Sequence, residues 1–126
     1  MENGKTRVVS AIVENKPGVL HSVANLFRRR NFNIESITVG STEQKDLARI
    51  TITVNADEKT LDQVVKQLDK LVDVLKVAEL DLNNTVTREL ALIKVNVPTA
   101  KERADIISCV HVFRGRVVDV SPDSLM

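Results

Sequence analysis

Residues 6 to 20 read TRVVSAIVENKPGVL, a strand that runs through a tight turn into a helix. The first nine residues are rich in β-branched side chains and stop at Asn15-Lys16-Pro17-Gly18, whose composition is that of a turn. Beyond Pro17, Leu20, Val23, Ala24 and Phe27 recur at i, i+3, i+4 and i+7, the spacing of an amphipathic helix. Arg28, Arg29 and Arg30 follow where cations complement a helix C-terminus. They offer two readings: a solvated helix end, or a grip on a phosphate or an acidic partner.

Working outward, residues 33 to 40 (NIESITVG) predict a second strand and 47 to 54 (LARITITV) a third, with STEQKD as the loop between them. In the third strand Ala48, Ile50, Ile52 and Val54 share one face, while Arg49, Thr51 and Thr53 share the other. Asp57 is a competent N-cap for a second helix, whose stripe is Leu61, Val64, Val65, Leu68, Leu71 and Val72. Residues 74 to 82 then predict a fourth strand. The order β-α-β-β-α-β within residues 1 to 82 is that of a ferredoxin-like α+β domain, with two helices on one face of an antiparallel sheet. Val9, Ala11 and Val13 face one side of the first strand and Val8 and Ile12 the other, so both faces require cover. A second copy, another subunit or the rest of the chain can supply it.

Residues 83 to 87 (NNTVT) form a polar connection. A strand at 88 to 97, a helix over 100 to 113 burying Ala104, Ile107, Val110 and Phe113 with Gly115 as its stop, and a strand at 116 to 120 follow. From this β-α-β order, 83 to 126 is expected to be the first half of a second, incomplete ferredoxin-like unit.

Composition narrows the function. The 126 residues carry 18 Lys and Arg against 17 Asp and Glu, and the balance holds in both parts of the chain, so there is no basic footprint for nucleic acid or an anionic membrane. Aromatic content is 2%, three Phe and nothing else, which removes the usual stacking platforms for bases and flavins. Cys109 is the only cysteine and His21 and His111 lie far apart, so no metal site is expected. Cys109 reads as a small buried hydrophobe. No apolar run approaches the length of a membrane helix, and a cytoplasmic protein is expected. No phosphate loop, nucleophile elbow or acid pair is present, so no catalytic residue is assigned.

The informative chemistry lies at NKPGVL. With Pro17 as first helical residue, Lys16 falls at the N-cap, where a short oxygen-bearing side chain would normally satisfy the free amides. Lysine cannot accept those bonds, which leaves the amides of Gly18, Val19 and Leu20 open to an anion such as a carboxylate. Asn15 lies beside that opening, and Asn33 begins the next strand after the helix has brought the chain back. Their carbonyl oxygens suit an ammonium, so the set suits an α-amino acid. The alternative is that Asn15 caps the helix and Asn33 is a turn residue.

The strand-NKPGVL-helix run, NFNIESITV (31 to 39), ARITITV, KQLDKLVDVLKV (66 to 77), RE-L-LIKV (88 to 95) and FRG-VVDV (113 to 120) together resemble the small regulatory subunits of acetolactate synthase, which carry an N-terminal ACT domain. The resemblance covers residues 6 to 122. It implies a non-catalytic partner of the large, thiamine-diphosphate-dependent catalytic subunit in branched-chain amino-acid synthesis, with Mg and FAD expected only in that partner. It also implies activation of the partner, feedback inhibition by valine, and ACT domains paired as a homodimer. Valine then touches Asn15, Gly18, Val19, Leu20, Asn33 and Ile34 at the pair's interface. His21 departs from the small hydroxyl residue that some members carry. An ACT sensor of another pathway is the alternative. An acylphosphatase-like enzyme lacks its loop arginine here, and an RNA-binding sheet lacks its aromatics.

Overall fold

The computed structural model describes residues 4–126, so the first three residues of the expected span 1 to 82 lie outside it. The chain divides into two compact units, one ending at Val86 and the other running Thr87–Met126. The polar connection at 83 to 87 spans that division and overlaps a short 3-10 turn, Leu82–Asn84.

In the first unit, β1 (Lys5–Glu14), α1 (Val19–Arg29), β2 (Ser36–Ser41), β3 (Leu47–Ala56), α2 (Glu58–Asp69) and β4 (Val74–Leu80) follow the expected order. They build a four-stranded antiparallel sheet in the order β2-β3-β1-β4. Alternation sends Val9, Ala11 and Val13 of β1 and Ala48, Ile50, Ile52 and Val54 of β3 into the core. There they meet Val19, Val23, Leu26 and Phe27 of α1 and Leu61, Val64 and Leu68 of α2. Each large aliphatic side chain buried this way stabilises the unit by roughly 1.5–3 kcal/mol. On the other face Val8 and Ile12 remain half-buried.

Both helix starts and both helix ends have local causes. The Asp57 side chain caps α2 by accepting the Thr60 amide at 2.7 Å. Hydrogen bonding from Thr60 holds its carboxyl below the ordinary value. Helix α2 ends at Asp69, so Val72, expected on its buried stripe, lies in the turn beyond, where helical spacing no longer applies; it is 97% exposed. Helix α1 closes on Asn31, which takes the left-handed conformation with φ 55°. The Asn31 amide donates to the Arg28 carbonyl and the Phe32 amide to that of Phe27, the Schellman pattern. Phe27 and Phe32 then meet edge to face, 6.0 Å between centroids. That closure turns the chain before it joins the sheet. Pairing therefore begins at Ser36, not at the expected Asn33, with the Glu35 amide bonded to the Thr53 carbonyl.

The second unit keeps the expected β-α-β order but shortens its strands. Of the strand expected over 88 to 97, only β5 (Val95–Asn96) forms a ladder, because only these residues face a partner, β6 (Ser124–Leu125). The strand expected at 116 to 120 reduces to an isolated bridge, Val120 to Leu125, and to bonds of Val118 and Asp119 with Met126. Helix α3 (Ala100–Val112) starts on a full capping box between Thr99 and Glu102. None of its residues is buried: Ile107 and Val110 are half-buried, while Ala104, Cys109 and Phe113 are exposed, against expectation. The stop also differs. Arg114, with φ 56°, takes the left-handed position, and Gly115 follows it, donating to the Val110 carbonyl at 2.8 Å. Glycine fits there because a Cβ would stand 3.2 Å from a Val110 methyl.

Candidate functional site

Gly18, not Lys16, is the N-cap of α1. Its φ of 89° is a left-handed conformation that glycine adopts without strain, and it delays the helix by two residues relative to Pro17. No side chain caps the helix. The first intrahelical amide is that of Ser22, bonded to the Gly18 carbonyl at 3.0 Å. The unclaimed first-turn donors thus shift one residue along, to the amides of Val19, Leu20 and His21. Nothing lies within 4 Å of where a Gly18 Cβ would stand, so the approach to them is open. Unpaired donors and the positive end of the helix dipole together suit a carboxylate.

The turn before that helix is tied on two sides. Asn15 does not cap the helix. Its amide donates to the Asp46 carbonyl and its Nδ2 to the Lys45 carbonyl at 3.2 Å, which fixes it to the β2–β3 loop. That bond uses one hydrogen of the NH₂ group and leaves Oδ1 as the free acceptor. Lys16 Nζ lies 2.7 Å from Asp73 and 2.8 Å from Glu14, joining the turn to the segment before β4. These two carboxylates, Asp73 foremost, hold Lys16 above the ordinary lysine range. The clasp is absent from the sequence pattern, because Lys16 and Asp73 are brought together only by sheet pairing; the Glu14 amide also donates to the Asp73 carbonyl.

The remaining site residues divide. The Val19 side chain is in the core, so it offers only its backbone, whereas Leu20 is 47% exposed. Ile34 is half-buried against the core. Asn33 is exposed and donates through Nδ2 to Glu35 at 3.1 Å. It does not lie beside Asn15. Glu14 is opposite Leu47, and the segment after Asn33 joins β3 at Thr53, so the two asparagines sit at opposite ends of the sheet. Six residues of β3 separate those levels, roughly 20 Å. Within one chain, then, the helix start and the Asn33-Ile34 pair are kept apart, each a candidate half-site. Among the described residues, no group of three or more His, Cys, Asp or Glu is placed to hold a metal. No described helix is long and apolar enough to cross a membrane.

A β2-β3-β1-β4 sheet with two helices on one face is the ferredoxin-like arrangement that ACT domains share, here with an uncapped helix start at its loop end. Residues 9–76 match the family described as the AHAS small subunit-like ACT domain, and 88–126 match the small subunit of acetolactate synthase. A probable acetolactate synthase small subunit of Methanothermobacter thermautotrophicus is 54% identical over 95% of this chain and 71% of its own length. The acetolactate synthase small subunit of Mycobacterium avium is 54% identical over 96% of the chain and 72% of its own. The crystal structure of the acetolactate synthase small subunit from Thermotoga maritima superposes with a TM-score of 0.79 at 41% identity, over 96% of this chain and 75% of that one. The ACT domain of GTP pyrophosphokinase from Chlorobium tepidum shares the fold alone, with a TM-score of 0.53 at 15% identity over 61% of this chain and 99% of that domain. The chain belongs to the acetolactate synthase small-subunit family.

Proposed function

We propose that the protein is a non-catalytic regulatory subunit that activates the large catalytic subunit of acetolactate synthase and makes it subject to feedback inhibition by valine. The acyl-transfer chemistry, with thiamine diphosphate, Mg and FAD, belongs to that partner.

The observation that carries this reading is the separation of the half-sites. Strand β2 is an edge strand, paired only with β3, and all six of its residues are exposed. Ile37 and Val39 pair with the core residues Ile52 and Ile50, so they lie on the helix-bearing face, yet they are 38% and 47% exposed. An apolar, unpaired edge of this kind favours addition of another strand. Two copies joined antiparallel through β2 about a two-fold axis set the Ser41 end of one against the Ser36 end of the other. The helix start of one copy then meets the Asn33-Ile34 segment of its partner. Valine's carboxylate takes the amides of Val19, Leu20 and His21, and its ammonium takes Oδ1 of Asn15 and of the partner copy's asparagine. The aliphatic side chain lies among Leu20 and the Ile34 region. No aromatic ring is needed for such a ligand.

Inhibition requires that valine bind one arrangement of the pair better than another. Coupling of about 1–3 kcal/mol to the catalytic partner is sufficient. The test is calorimetry with valine, leucine and isoleucine, followed by acetolactate formation by the catalytic subunit with and without this protein. Binding of valine, with faster turnover that valine suppresses, is expected. The absence of both heat and thermal shift at millimolar amino acid would contradict the reading.

A further inference from the structure

We infer that the outer face of α1 near its C-terminus, built on Arg28, Arg29 and Arg30, is a docking surface for a carboxylate-bearing region of the catalytic subunit; this rests on the proposed partnership. Residues 15 to 34 contain four cations and no acidic residue in a chain whose net charge is +1, so the rest of the protein is net negative. Lys16 is already held by Asp73 and Glu14, Arg7 by Glu79 and Lys66 by Asp62. The three consecutive arginines are exposed and make no ion pair among the described residues.

Service to the helix end does not account for three of them. The Leu26, Phe27 and Arg28 carbonyls at the end of α1 accept from the Arg30, Phe32 and Asn31 amides, and the half-unit charge of a helix dipole needs one cation at most. At about 100° per residue Arg28 and Arg29 point away from the buried stripe Val19, Val23, Leu26 and Phe27, and Arg30 is the exposed C-cap residue just beyond the helix. Beside Arg28 and Arg29 lies an open depression of about 480 Å³, lined also by Ser22, Asn25 and Leu71. The Ser22 hydroxyl donates to the Gly18 carbonyl and Asn25 Nδ2 pairs with His21 Nε2, so the free donors around this depression are the two guanidinium groups, which bind carboxylate side chains in bidentate fashion. The free edge of β2 and the helix start are separate features, so this face stays available when two copies pair.

Charges of this kind act chiefly on the association rate and its salt dependence. Association of the full chain with the catalytic subunit is therefore followed by biolayer interferometry between low and high NaCl. Wild type is expected to associate more slowly as salt rises. R28E/R29E and R28Q/R29Q are expected to lower the low-salt rate about tenfold or more, the reversal more than the neutralisation, and to flatten the salt dependence. Valine binding and the melting curve serve as controls, and both are expected to stay near wild type. Unchanged rate and salt slope in both variants overturn the docking surface while leaving the partnership standing. Absence of any wild-type complex overturns both. Displacement of the partner by a short single-stranded RNA at equal concentration, or loss of self-association in the variants with partner binding intact, assigns the arginines elsewhere and also overturns it.

Discussion

Gly18 meets two demands at one position: a left-handed φ of 89° that starts α1 without a capping side chain, and open space above the free amides. Gly18→Asp puts a carboxylate where an anion is to bind. It is expected to abolish valine binding by calorimetry while costing about 1 kcal/mol of stability from backbone strain. Retained binding in that variant contradicts the placement of the carboxylate. Arg114 presents the reverse case, a bulky residue at φ 56°. Arg114→Gly is expected to stabilise the protein by about 0.5–1 kcal/mol in urea unfolding, relief of the left-handed strain outweighing the extra freedom that glycine gives the unfolded chain. Asp57 gives a pH signature. Its folded carboxyl lies below the ordinary 3.8, so its contribution is present at neutral pH and is lost as pH falls from that value through the folded one. In Asp57→Ala, melting temperatures across the acid range should be lower at neutral pH and should converge with wild type at the acid end. Chemistry at this scale was partly legible: NKPGVL announced an uncapped helix start, but whether Pro17 or Gly18 occupied its border depended on a φ that no spacing rule reports.

At the scale of elements, α1 is positioned by its end as much as by its stripe. The Phe27–Phe32 contact fastens the Schellman turn and so sets where Asn33 and Ile34 emerge. Phe27 is fully enclosed, and Phe27→Ala is expected to cost about 3–5 kcal/mol, seen as a fall in the urea midpoint. In the proposed pairing, strand β2 is the element that joins copies. Val39→Lys places a charge on its free apolar edge and is expected to shift the protein from dimer to monomer in sedimentation, with the helical signal unchanged. A dimer of undiminished affinity would remove β2 from the interface. Long periodic elements are legible in sequence, because β1, β3, α1 and α2 each carry an apolar face that one partner surface satisfies, although in α1 Val19 and Leu26, and not the expected Leu20 and Ala24, join Val23 and Phe27 in the core. The failures fall where period alone does not decide. Val72 lies one turn past the end of α2, and residues 88 to 94 and 116 to 117 have strand composition without a ladder partner. The arginines at 28 to 30 were noticed, but their lack of carboxylate partners is a tertiary fact.

At the scale of the whole molecule, the topology changes what the sequence motif means. A strand, a helix and a parallel return strand place Asn15 and Asn33 at opposite ends of one sheet, although both belong to the same resemblance. Reading along the chain suggests a single cluster, while antiparallel pairing through β2 suggests two composite sites related by a two-fold axis. The two arrangements are separated by subunit mixing. Gly18→Asp and Asn33→Ala proteins are each expected to bind no valine. Unfolded together in equal amounts and refolded, they form mixed dimers in which one of the two sites combines an intact helix start with an intact Asn33. Random pairing then restores valine binding to about one quarter of the wild-type stoichiometry, measured by calorimetry. Recovery near that level is the outcome expected of a site shared between two copies; no recovery from a mixture shown to contain mixed dimers would contradict it.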